Sequence, residues 1–287
     1  MKSKKKFKLD KETIDKIDTE FDDRDISGFT NYDVYEEEKP KKRFLRRLLI
    51  RLVILCVIIL VINLIVLFAT GQIWFNEPKK RDFPVRGPVV TEDMGEIKWK
   101  SFAKQNIQLA YIRATKGTSF EDGSFRDNWN DSADTEIPVG ALHIFEPDTD
   151  GARQAEHFIE TVGDDLSGRL CPAAEVKLRG LYKFLPPDYG EAADNLADFC
   201  EAIEKQYGVK PILLCTERTY KNIISGDERF EDCSIWYESL FSEPDEGVDW
   251  TFWGYTNRVK FAYYDSNSYL YMTVFKGSEK DFNKLIL

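Results

Sequence analysis

The sequence predicts an α/β barrel standing behind a single membrane-crossing helix and a polar N-terminal tail. Three observations carry that expectation. Leu52–Ala69 is an apolar run interrupted only by Asn63, and from Arg86 onward short apolar stretches alternate with amphipathic ones. Eight such strands in roughly 200 residues suit a closed or nearly closed barrel better than an open sheet. With 43% hydrophobic and 14% aromatic residues among 287, the chain has ample core material and is not wholly disordered.

Residues 1–43 carry 12 basic and 12 acidic side chains and few apolar ones, so they read as a disordered cytoplasmic tail. Residues 44–75 read as a basic flank and a transmembrane signal anchor. Eighteen helical residues cover about 27 Å, enough to cross a hydrocarbon core once the interface is counted. Lys39, Lys41, Lys42, Arg43, Arg46, Arg47 and Arg51 precede the run, whereas only Lys79, Lys80, Arg81 and Arg86 follow it. The positive-inside rule therefore puts the N-terminus in the cytoplasm and the remainder outside. Trp74 and Phe75 suit an aromatic belt. A cleaved signal peptide fits less well, because the preceding region is long and no A-x-A site follows. Residues 76–85 form a Pro-containing spacer, and 86–287 the ectodomain.

In that ectodomain the expected strands are Pro88–Val90, Leu109–Arg113, Val139–Phe145, Ala173–Leu178, Ile212–Cys215, Ser234–Tyr237, Thr251–Tyr255 and Tyr269–Phe275. The expected helices are Lys98–Lys104, Phe125–Ala133, Ala152–Val162, Gly190–Tyr207 and Thr216–Ile224. The fourth helix has Leu196, Phe199, Cys200 and Ile203 at helical spacing and Gly208 as its C-cap. Strand–helix alternation with short links implies parallel strands covered by helices. The last three strands lack room for full helices between them, so the closing edge should be irregular. Function in such a barrel belongs at the C-terminal ends of the strands.

Charge narrows the partners. Residues 82–287 hold 22 basic and 37 acidic side chains, a net −15 that repels phosphate backbones and argues against nucleic acid. Two histidines and five scattered cysteines without a CxxC argue against a zinc or iron–sulfur site, and no cofactor is expected. Cys171, Cys200, Cys215 and Cys233 allow three pairings; buried free thiols are the simpler reading.

Several stretches are similar to glycoside hydrolase family 25, the lysozymes (muramidases) that cut peptidoglycan. PVRGPVVTEDMGEIKW (84–99) resembles that family's RG-x-DVS-x-x-QG-x-IDW, and YIRATKGTSFEDGSFRDNW (111–129) resembles IKATEG…D-x-x-F-x-x-NW. VGALHIFEP (139–147) is similar to GAYHF, and ARQAEHFIETV (152–162) to the QAE-x-F helix. KPILLCTERTY (210–220), SIWYE (234–238), WTFWGYTNR (250–258) and VFKGSEKDF (274–282) resemble later strands and the C-terminal run. The resemblance implies a flattened, irregular TIM-like (β/α)5(β)3 barrel acting on cell-wall glycan.

Glycosidic cleavage requires a protonated carboxyl for the leaving oxygen and carboxylates that stabilise an oxocarbenium-like transition state. By the resemblance, the DVS aspartate falls on Val89, the D-x-E pair on Glu175 and Lys177, and the later strand aspartate on Tyr271. Lys98 and Lys116 replace two further acids. Residues i and i+2 of a strand share a face, so Glu175 and Lys177 should enter the barrel mouth together. Glu92, Asp93, Glu146 and Glu238 follow strand ends and read as solvated loop acids. His143 reads as a satisfied histidine near the pocket floor. His143, Trp236, Trp253 and Tyr255 are the candidate glycan contacts, the last two by stacking on sugar rings at the mouth. The leading expectation is a membrane-anchored, catalytically degenerate module that binds or organises peptidoglycan. A divergent muramidase using Glu175 and a scaffold docking another envelope protein are the alternatives.

Overall fold

The computed structural model describes residues 40–70, 73 and 76–287. The expected polar tail up to residue 39 and the pair Trp74 and Phe75 lie outside the described residues. Helix α1 (Pro40–Ala69) is 30 residues long, about 45 Å at 1.5 Å per residue. It begins upstream of the apolar run and takes in Arg43, Arg46, Arg47 and Arg51. Pro40 suits the first position, where its missing N–H would find no helical partner anyway. From Lys42 to Ala69 the helix is long and apolar enough to cross a membrane.

The second part of the chain is an eight-stranded closed barrel. Its strands are β1 (Arg86–Val90), β2 (Ala110–Lys116), β4 (Val139–Ile144), β5 (Ala173–Val176), β6 (Ile212–Thr216), β7 (Ile235–Glu238), β8 (Phe252–Val259) and β9 (Leu270–Phe275), with a two-residue strand β3 (Phe120–Glu121) added beside β2. Neighbours run parallel from β1 through β8, and β9 is antiparallel to both β8 and β1. Val89 pairs with Tyr111 on one side and Tyr271 on the other, which closes the barrel. The helices between strands are α2 (Trp99–Phe102), α3 (Phe125–Ser132), α4 (Gly151–Val162), α5 (Tyr189–Tyr207) and α6 (Glu217–Thr219); α7 (Glu279–Phe282) follows β9.

Period-two alternation sorts the strand side chains into two cores. Val89, Tyr111, Leu142, Ala173, Leu214, Trp236 and Phe252 fill the barrel. Val90, Ile112, Ala174, Leu213, Ile235 and Trp253 face outward and join Phe158, Leu196, Phe199 and Ile203 of the helical layer. Because both faces are covered, β4 is buried at all six positions. The helix ends follow local chemistry. Asp150 accepts from the Arg153 N–H at the start of α4, and Asp188 accepts from Gly190 and Glu191 at the start of α5. Gly208 ends α5 at φ 75°, a left-handed conformation that glycine adopts without steric cost.

Some boundaries differ from the sequence expectation. The first barrel helix shrinks to Trp99–Phe102, and the stretch Thr216–Ile224 becomes α6 followed by a π-helical turn, Tyr220–Ile224. Thr216 and Thr219 form a reciprocal capping box there, which fixes a tight start that a regular helix does not continue. All four barrel cysteines are buried free thiols.

Candidate functional site

A cleft of about 420 Å³ opens at the C-terminal ends of the strands. Val89, Glu175, Lys177 and Tyr271 all line it, so the fold brings together four positions that lie far apart in sequence. Glu175 points inward from β5 in the same row as Ala173, and Lys177, two residues on, lies just past the strand end. The Lys177 ammonium sits 2.5 Å from Glu238 Oε2 and 3.7 Å from Glu175 Oε2. It also lies 4.4 Å above the centre of the Tyr271 ring, a cation–π arrangement. Arg179 donates through Nε to Glu175 Oε1 at 2.9 Å, and its Nη2 donates to the same oxygen. Glu175 thus has one oxygen held by a guanidinium and the other facing an ammonium.

Tyr271 forms the floor. Its hydroxyl lies over Gly254, where a Cβ would come within 1.6 Å of it. Burial, and then the nearby Glu238 and Glu175 carboxylates, hold its phenol well above its ordinary pKa. It stays neutral, and its hydroxyl is sealed from solvent, so it offers a substrate neither a negative charge nor a nucleophile. Val89, beside it, is apolar and nearly buried.

On the β1–β2 side Arg113 reaches the cleft and is itself clamped. It donates through Nε to Asp122 at 2.6 Å and through Nη2 to Glu92 at 3.1 Å. The second Glu92 oxygen accepts from the Gly123 N–H at 2.9 Å, tying the loops after β1 and β2 together. Thr91, Met94, Lys183, Thr216, Asn257 and Tyr269 complete the rim. Lys98 and Lys116 do not line the cleft; Lys116 pairs with Glu146 at 2.9 Å. No group of three or more His, Cys, Asp or Glu is placed to hold a metal among the described residues.

The four candidate glycan contacts are buried and do not line the cleft. His143 points outward from the barrel into the helical layer, stacks on Phe199 at 4.9 Å, and contacts Thr115 Oγ1 at 2.7 Å and Gln154 Oε1 at 3.2 Å. Burial lowers its pKa to about 3, against the Gln154 hydrogen bond that raises it and with a small push from His157. Trp236 packs inside the barrel against Tyr111 and Phe252. Trp253 and Tyr255 alternate with Phe252 and Gly254 and so face the outer layer. Trp253 donates to the Ser239 carbonyl at 2.8 Å and packs on Phe83, while Tyr255 is buried and its pKa rises to about 12 chiefly for that reason. Glu238 is corrected in the other direction. It was read as a solvated loop acid, and it is a partly buried partner of Lys177. Arg113, Arg179 and Lys183 were missed altogether, although Arg179 stands four residues beyond Glu175 and directly after the expected strand end, Leu178.

Comparison with known proteins follows the same lines. A family model described as Glycosyl hydrolases family 25 matches residues 90–263. A solved family 25 glycosyl hydrolase from Bacillus anthracis is 32% identical, covers 74% of this chain and 97% of its own, and superposes with a TM-score of 0.67. A bacterial lysozyme from Streptomyces coelicolor shares the fold at 21% identity and a TM-score of 0.61, over 70% of this chain and 96% of its own. Among curated sequences, the uncharacterized protein YegX of Escherichia coli O157:H7 is 26% identical over 71% of this chain and 74% of its own length. Lysozyme M1 of Streptomyces globisporus is 34% identical over a shorter stretch, 28% of this chain and 27% of its own.

Proposed function

The chain belongs to glycosyl hydrolases family 25, and on that premise we propose that its barrel binds or organises peptidoglycan glycan strands without cutting them by a two-carboxylate mechanism. Support for the substrate class comes from relatives named as lysozymes. The observation that carries the loss of cleavage is Lys177, lodged between Glu238 and Glu175 and above Tyr271. Hydrolysis requires one carboxyl that gives up a proton and a second carboxylate facing the developing positive charge. Here the two acids of the cleft are spent on Lys177 and Arg179, and the remaining family positions are a valine and a neutral phenol. A fixed cation at the centre of the cleft also opposes an oxocarbenium ion directly. What remains is a polar groove with hydrogen-bonding groups at Arg113, Thr216, Asn257 and Tyr269, suited to holding sugar hydroxyls. The helix Pro40–Ala69 serves as a single-pass anchor, with its basic N-terminal flank in the cytoplasm and the barrel outside.

The test is co-sedimentation of the full chain, in detergent, with insoluble peptidoglycan. Binding is expected, and Asn257→Trp, which fills the cleft from its rim, should abolish it while leaving the thermal melt unchanged. Binding unaffected by that substitution would move the interaction off the cleft and favour a protein-docking scaffold. A second reading, a divergent muramidase, draws on Glu175 and Glu238 both facing the cleft. It requires Lys177 to leave one of them during turnover.

A further inference from the structure

The loop after β5 carries an apolar projection that the glycan cleft does not use. Leu181, Phe184 and Leu185 are 67%, 82% and 64% exposed, at positions i, i+3 and i+4 of one turn. The other large apolar side chains exposed on the barrel, Phe120, Phe241, Tyr263 and Leu287, are scattered along the chain. Isolated exposed hydrophobics are ordinary, but three on one turn mark a contact surface.

The turn is braced from behind. Gly180–Lys183 is a short 3-10 helix, and the Tyr182 hydroxyl donates to the Asp148 carboxylate. Arg218 donates to the Lys183 carbonyl at 3.0 Å and to the Tyr189 hydroxyl at 3.0 Å. Pro186 and Pro187 then stiffen the exit toward α5. The trio is therefore presented by a fixed backbone rather than left on a loose loop. Its flanks are basic, with Arg179, Lys183 and Arg218 around it. Two acids also lie near, Asp148 accepting from the Tyr182 hydroxyl and Asp188 from the first N–H groups of α5.

We propose that Leu181–Leu185 is a membrane-contacting element, which inserts Leu181, Phe184 and Leu185 into the interface of an anionic bilayer and sets Lys183 against lipid phosphates. Apolar side chains ringed by cations bind such surfaces by the two forces together. The occupant follows from the chain itself. Sixteen residues, 70–85, separate a helix able to cross a membrane from the first barrel strand. That tether spans at most about 55 Å, so a bilayer crossed by the helix is always within reach of the barrel. The inference rests on the reading of that helix as an anchor with the barrel outside. Since Arg179 and Lys183 also line the cleft, docking brings the cleft to the membrane surface. Its ligands are then the glycan strands nearest the membrane.

The experiment uses the full chain carrying Cys56→Ser and Phe184→Cys, labelled with a polarity-sensitive fluorophore and reconstituted into vesicles of phosphatidylglycerol and phosphatidylcholine. Flotation reports the helix, and the label reports the loop. Blue-shifted emission is expected, with acrylamide quenching on the order of fivefold weaker than for a label at Ser167→Cys on an exposed loop. Leu181→Ser with Leu185→Ser should remove the shielding, and pure phosphatidylcholine should weaken it. Equal quenching at both positions in floated vesicles overturns the proposal and leaves the anchor intact. Shielding that follows protein density instead of anionic lipid also overturns it, by assigning the patch to a second copy. A chain that does not float overturns the anchor reading and this inference with it.

Discussion

Gly254 leaves the space that the Tyr271 hydroxyl occupies at the cleft floor. A Cβ at position 254 would stand 1.6 Å from the tyrosine hydroxyl and 2.4 Å from Cζ. Gly254→Ala should therefore cost about 1–3 kcal/mol by overpacking, measured by denaturant unfolding. The cost should shrink when Tyr271→Val is present, since neighbours in one cavity are not additive. Strictly additive losses would show that the two residues do not share the floor. Lys177 is the second residue to test. Lys177→Met leaves Glu175 and Glu238 facing each other without their cation, and breaking such a partly buried pair should cost about 3 kcal/mol at neutral pH. His143 makes a pH prediction. Its folded pKa is lowered from the ordinary 6.5 to about 3 by burial, so between those values the unfolded chain binds the extra proton. Its stabilising contribution is complete above about pH 6.5 and declines as pH falls toward 3, at up to about 1.4 kcal/mol per pH unit. His143→Gln should flatten that acid limb; an unchanged slope would mean that other groups set it.

At the scale of elements, much of the barrel was legible because its signals are local. Leu196, Phe199, Cys200 and Ile203 lie at helical spacing, and they are the buried face of α5. The eight apolar runs became the eight barrel strands because each is short and bounded by turn residues. Sidedness was not legible. In a closed barrel wrapped by helices both faces of a strand are buried, so hydrophobicity alone does not tell inward from outward. That ambiguity placed Trp253 and Tyr255 at the mouth and His143 near the pocket floor, whereas the strand parity turns them into the helical layer. The ion pairs of the cleft were hidden for another reason. Arg113, Arg179 and Glu238 reach the centre on long side chains from strand ends, and where such a side chain lands depends on loop geometry that no periodicity encodes. That Val89, Glu175, Lys177 and Tyr271 share one cleft was legible through motif order, and the partners around Lys177 were not.

At the scale of the whole molecule, charge and apolarity divide the chain. The segment 44–81 has a net +5 and contains the membrane-competent helix, while 82–287 has a net −15. Protease added to wall-stripped cells should remove the barrel and spare the N-terminal tail, as the basic excess before Leu52 dictates; a protected barrel would contradict an envelope role. On the proposed reading, a cation sits where the hydrolytic machinery of the family operates. Lys177→Glu alone should not restore cleavage, because Val89 and Tyr271 still supply no negative charge. Loss of a general acid alone typically slows such a reaction by about 10²–10⁴, and the missing carboxylates add to that. The most direct measurement is the release of reducing ends from purified peptidoglycan by the unmodified full chain beside Glu175→Gln. The account predicts that both preparations release no more than the peptidoglycan does alone. Robust release by the unmodified chain, abolished by Glu175→Gln, would contradict it and establish Glu175 as a working catalyst.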